Sequence, residues 1–227
     1  MKKKTIIGIC FCFILILFGI KKLNDYENAQ TRKDYIALFE SYYSNNIEEN
    51  NEKIVAYVND IPIYDKDIKL FYGISILETK HYAEDEEACI ENAIANVILD
   101  AFYIDLATKH YGVKDIEIED GVQEVKEHLK IQSKNKSPIV SATSEIRLLH
   151  FDDYRLWFAG RYCFRRISDS ILMNHESVPK EEMGTVIMDK IVEKSEEYEI
   201  EFNKNQNNGF EKKRLLEQLG EYKFTYQ

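Results

Sequence analysis

The stretch Ile54–Asp67, IVAYVNDIPIYDKD, constrains this chain more tightly than any other, because it reads as a strand, a tight turn and a helix start in succession. Ile54, Val55, Ala56, Tyr57 and Val58 are β-compatible. Asn59-Asp60 is a turn dipeptide whose members tolerate positive φ, and Pro62 fixes φ just beyond it. Asp65 and Asp67 then open an apolar-periodic run. A carboxylate there can accept a free backbone N–H and complement the helix dipole. With 9 Gly and 3 Pro in 227 residues, a many-stranded fold is disfavoured, while 44% hydrophobic residues suffice for a core. The expectation is a mainly α chain of one or two domains.

Charge is unevenly placed. Residues 1–22 hold five lysines and no acid, so the net charge of -10 leaves -15 on residues 23–227. An acidic body argues against nucleic acid, whose phosphates need a basic face. The N-terminus carries Lys2, Lys3 and Lys4, then the apolar run Thr5–Ile20, then Lys21 and Lys22. This is the pattern of a membrane-targeting segment. A helix of that length rises about 24 Å, short of a hydrocarbon core of roughly 30 Å, but flanking lysines snorkel. An A-x-A-like cleavage site is poorly matched, and Cys10 and Cys12 sit in no lipid-attachment pattern. An uncleaved transmembrane helix is therefore expected over a cleaved signal. The lysine balance sets the N-terminus in the cytoplasm and the body outside.

Between this segment and the corner, Tyr35, Ile36, Leu38, Phe39, Tyr42 and Tyr43 recur at helical spacing before the polar run Asn45–Glu52. Residues 23–53 thus read as a juxtamembrane helix and linker, a spacer in the plainest interpretation. Beyond the corner, a helix through Ile68, Phe71, Ile74 and Leu77 should end near Tyr82, with Gly73 weakening its middle. A second, opened by Glu84–Glu87 and closed by Gly112, carries Ile90, Ile94, Val97, Ala101 and Ile104. A third carries Ile118, Val122, Val125 and Leu129. Gln132–Thr143 reads as a polar loop, and Ser144 as the cap of a fourth helix through Leu149, Leu156, Trp157, Gly160, Cys163, Phe164, Ile167 and Ile171. Arg147, Arg155, Arg161, Arg165 and Arg166 ride on that helix and should pair with carboxylates. After Asn174–Lys180, a fifth helix is expected over Met183–Ser195. Tyr198, Ile200 and Phe202 alternate with Glu199 and Glu201 as a half-buried strand. Its expected partner is the strand 54–58, so that 198–202 and 54–58 close the helical domain as a small antiparallel pair. Residues 204–227 read as a polar tail.

No residue set stands out for catalysis. His81, His110, His128, His150 and His175 are scattered, with no metal-ligand spacing, and no phosphate-binding, dinucleotide-binding or serine-nucleophile motif occurs. Asp152-Asp153 is most simply a solvated helix surface. The expectation is no enzyme activity, no metal and no cofactor. Cys10 and Cys12 behave as small hydrophobes, and an oxidising compartment permits a Cys89–Cys163 bridge without requiring one.

The run VAYVNDIPI, Val55–Ile63, resembles the V-A-x-V-N-G-x-P-I opening of the N-terminal domains of SurA- and PrsA-type extracytoplasmic chaperones. Val55, Val58, Asn59, Pro62, Ile63 and Asp65 carry that structural motif. The start of the third helix near Val113–Asp120 and the closing strand Tyr198–Asn203 are similar too, so the resemblance covers residues 54–203. Asp60 stands where the family has glycine, an exchange that a left-handed Asp tolerates. Tyr64 replaces a Thr or Ser cap, which passes capping to Asp65. The parvulin-type prolyl isomerase module would lie between the fourth and fifth helices, where only Asn174–Lys180 is found. The resemblance implies a chaperone lobe of about five helices that holds unfolded or translocated polypeptides without isomerase activity. The alternative is a non-catalytic envelope scaffold or sensor that binds one specific protein partner.

Overall fold

A computed structural model describes residues 2–47, 53–82, 86–174, 189, 192–194 and 200–202, with side chains in the first helix from residue 24 onward. The elements run α1 (Lys2–Asn46), β1 (Ile54–Val58), β2 (Ile61–Tyr64), α2 (Asp65–Tyr82), α3 (Glu86–His110), α4 (Asp115–Gln132), α5 (Pro138–Leu149), α6 (Arg155–Asn174) and β3 (Ile200–Phe202). The chain is mainly helical. Helix α3 lies at its centre, flanked by α2 and α6. Its Val97, Ala101, Leu106 and Ala107 are fully buried, as a helix covered on several sides requires.

The strand pairing between 54–58 and the C-terminal strand is present: Ala56, Tyr57 and Val58 oppose Phe202, Glu201 and Ile200 in antiparallel register. The sheet has a third strand, however, in the order β2-β1-β3. Residues expected to lead straight into a helix turn back as a hairpin, with Tyr57 opposite Pro62 and Val58 opposite Ile61. Pro62 tolerates this because β2 is an edge strand, where a missing N–H breaks no ladder bond. The turn's positive φ falls on Asn59 (49°) and not on Asp60. Asn59 is held there by its amide, which donates to Asp105 Oδ2 (2.8 Å). Lys109 bridges Asp105 (2.9 Å) and Asp60 (3.8 Å), tying the hairpin tip to α3.

Helix α2 ends at Tyr82 and α3 at His110, as the periodicity indicates. Gly112 adopts φ 66°, and Val113 N–H returns to the Ala107 carbonyl (3.1 Å). The capping role expected of Asp65 falls to Asp67, which accepts the Tyr64 N–H (2.9 Å), while Asp65 pairs with Lys69. The stretch expected as one fourth helix is two. The polar loop is only 133–137, since Pro138 opens α5 at a position where its missing N–H is an orphan anyway. Ser144 consequently lies inside α5, donating to the Val140 carbonyl (2.7 Å). His150 leaves helical geometry (φ -103°, ψ 38°), and Leu149, assigned to the buried stripe, is 61% exposed. The break lets Tyr154 turn inward, where its hydroxyl donates to the Leu70 carbonyl (3.0 Å).

The spacer interpretation of residues 23–53 is also corrected. Helix α1 continues unbroken to Asn46, and its end is part of the body. Phe39 is 1% exposed, and its ring lies against Gly73, where a Cβ would sit 2.8 Å from it. Tyr42 donates to the Lys69 carbonyl (3.1 Å), and Arg32 pairs with Glu145. Among the described residues no helix is long and apolar enough to cross a membrane. The side chains of Thr5–Ile20, on which the expected span rests, lie outside that description, as do the loop 175–180, most of the expected fifth helix and the tail 204–227.

If α1 belongs to the folded body, Phe39→Ala should lower the stability of the full chain by about 3–5 kcal/mol, the usual cost of emptying an aromatic core site. Chemical denaturation checks this. An unchanged midpoint would return α1 to the role of spacer.

Candidate functional site

Where β2, the start of α2, the middle of α4 and the start of α6 converge, they leave an open groove of about 510 Å³. Its apolar surface comes from Ile61, Pro62, Val122, Leu156 and Ala159. Its charged surface comes from Lys66, Asp67, Glu119, Asp152, Asp153 and Arg155, with Tyr64 between the two. The hairpin supplies one wall because the Asn59–Asp105 bond fixes its tip. The α5–α6 turn supplies the other because Tyr154 anchors it.

Most of the groove's charges are partnered within it. Lys66 Nζ lies 3.0 Å from Asp153 Oδ1, and Arg155 pairs with Glu119. Tyr43 of α1 donates to Asp153 Oδ2 (2.7 Å). Burial opposes ionisation of Asp153, but the Tyr43 and Lys66 bonds hold its carboxyl below the usual range. Asp67 is 7% exposed, and burial pushes it up to about 6, with the Tyr64 N–H and Lys66 acting in the opposite direction.

The hairpin register fixes what the free edge of β2 offers. Asp65 donates its N–H inward to the Lys53 carbonyl (2.9 Å), whereas the Tyr64 N–H points the other way and is taken by Asp67. Alternation along an antiparallel strand then directs Pro62 outward as well. Pro62 has no N–H, so this stretch of edge presents a carbonyl acceptor and no unused donor.

A second polar cluster lies one residue behind the groove wall. Asp100 of α3 is fully buried, and neither of its oxygens has a hydrogen-bond partner among the described residues. The Arg161 Nε is 3.7 Å from Oδ1. Gly160, the neighbour of Ala159, admits this carboxylate: a Cβ there would meet Asp100 Oδ1 at 2.6 Å. Burial pushes Asp100 up to about 7 despite the attraction of Arg161 and Arg147. Arg147 stacks over Trp157 at 4.6 Å. Burial, and then Asp100, push the nearby Cys163 thiol up to about 12.

Of the motif residues picked from sequence, Pro62 alone lines the groove. Val55, Val58 and Ile63 are core, Asn59 makes the turn, and Asp65 opens α2. Asp152-Asp153 is not a helix surface but the α5–α6 turn; both line the groove, and Asp153 bonds Tyr43 and Lys66. Arg155, Arg161 and Arg165 do face carboxylates, Arg165 facing Glu124. His150 pairs with Glu40 (2.8 Å) and stacks on Tyr43 at 4.0 Å between ring centroids. Cys89 and Cys163 are buried and unbridged. Among the described residues no group of three or more potential metal ligands occurs. The groove residues of α4 and α6 carried no sequence signal beyond helical amphipathicity, since their meeting depends on how two helices cross. No protein-family model, no curated protein and no solved structure matches this chain.

Asp100 has a carboxyl of about 7 in the folded chain against 3.8 in the open one, so the native state holds a proton that the unfolded state releases between those values. Stability should therefore fall as pH rises through that window and level off above it. Asp100→Asn should remove that slope and gain on the order of 4 kcal/mol on wild type between about pH 4 and about pH 8. Urea midpoints across this range test it, and parallel curves for the two proteins would refute it.

Proposed function

We propose that this protein is a membrane-anchored, extracytoplasmic chaperone-like protein that holds unfolded or translocated polypeptides without isomerase activity. The open groove between β2, α4 and α6 carries this reading, because it brings apolar side chains together with charged ones, most of them paired, on one surface. Such a surface suits transient contact with exposed hydrophobic side chains, while the acidic body keeps the complex soluble. The resemblance of Val55–Ile63 to the opening of SurA- and PrsA-type lobes supports the same class. Anchoring follows from the lysine-flanked run Thr5–Ile20, which shares helix α1 with the segment that bonds to the groove.

The full chain in nanodiscs should suppress aggregation of a chemically unfolded client, and Leu156→Glu should reduce that effect several-fold by placing a charge among the groove's apolar side chains. Light scattering measures it. Failure to suppress aggregation, together with capture of one stoichiometric envelope partner, would favour the scaffold or sensor instead.

A further inference from the structure

Resting on the groove as the polypeptide site, we infer that it selects extended segments that alternate apolar with lysine or arginine residues, and holds them by side chains and not by strand addition. The groove contains four carboxylates, Asp67, Glu119, Asp152 and Asp153, against two cations, Lys66 and Arg155. Both cations are occupied by carboxylates of the same groove, Lys66 by Asp153 and Arg155 by Glu119. Asp67 and Asp152 form no ion pair among the described residues, so the unbalanced charge is negative. An incoming cation meets attraction from these two and from a body of net charge -15 over residues 23–227. An incoming carboxylate would have to displace an existing pair and leave a groove carboxylate unpartnered.

The edge of β2 sharpens the mode of binding. A strand added to a sheet exchanges both N–H and C=O groups with the edge it joins. Here the outward N–H of Tyr64 is used by Asp67, and Pro62 has none. A peptide backbone would find an acceptor without matching donors. Its own carbonyls would stay unpaired at the groove wall, which disfavours a ladder. Side-chain donors have no such mismatch: an ammonium or guanidinium group satisfies the Pro62 carbonyl and the carboxylates directly. The apolar side chains of the same segment would lie on Val122, Leu156 and Ala159.

Three labelled peptides of equal length test this, with identical apolar positions and lysine, glutamine or glutamate between them. Anisotropy is read against the full chain in zwitterionic nanodiscs. The lysine peptide should bind about tenfold tighter than the glutamine peptide and weaken as salt shortens the screening length, with the glutamate peptide weakest. Asp152→Asn removes an exposed groove carboxylate that holds no ion pair among the described residues, and should weaken the lysine peptide about threefold and the glutamine peptide less. N-methylation at alternate residues of the lysine peptide should leave its affinity unchanged. Equal binding of the lysine and glutamine peptides would overturn the charge selection, and loss on N-methylation would overturn the side-chain mode. In both cases Ala159→Trp, which fills the groove, should still abolish binding. If Ala159→Trp has no effect on any peptide, the groove itself is not the site.

Discussion

The burial of α3 is the constraint on which the rest of this structure depends. A helix whose Val97, Ala101, Leu106 and Ala107 are all inaccessible must be covered on several sides, and α2 and α6 provide that cover. At Gly160 the α6 backbone comes close enough to α3 to enclose Asp100, and the buried carboxylate then faces Arg161. A charge in this position weakens the fold and does not strengthen it, since an apolar pair of similar volume would carry no desolvation cost. Ala159 and Leu156, on the same helix as Gly160, line the groove. At the other end of α3, Asp105 and Lys109 hold the hairpin tip, so one helix positions both walls of the site.

Helix α1 adds the second dependence. Tyr43 and Lys66 share the two oxygens of Asp153, so a groove carboxylate is bonded at once from α1 and from α2. His150, at the break between α5 and α6, meets Glu40 and the Tyr43 ring on the same side. The helix that begins with the lysine-flanked apolar run therefore ends in direct contact with the groove wall. One continuous helix thus joins the N-terminal segment to the groove wall, in place of a separate spacer.

Much of this was legible beforehand, and the failures have identifiable causes. The distant pairing of residues 54–58 with 200–202 could be read because few other segments have strand character and an alternating strand needs a partner. The ends of α2 and α3 could be read from periodicity and from Gly112. Pro62 misled because its edge-strand use depends on which side of β1 it occupies. The break at His150–Tyr154 was hidden because Leu149 and Leu156 keep helical spacing across it, and only the anchoring of Tyr154 to Leu70 interrupts the helix. Ser144 has the chemistry of a cap, but Pro138 had already begun the helix.

What the sequence determined by itself is the local and the compositional: a mainly helical chain, its amphipathic faces, an acidic body, a lysine-flanked apolar N-terminus and the Ile54–Asp67 corner. These follow from side-chain periodicity and backbone preference, which act over a few residues. Tertiary structure alone decided that β2 returns on β1, that α1 joins the core, and that Lys66, Glu119, Asp153 and Leu156 border one groove. Those residues lie far apart in the chain and carry no common pattern. They meet because α3 must be buried, and the helices that bury it approach it most closely where small residues such as Gly160 allow.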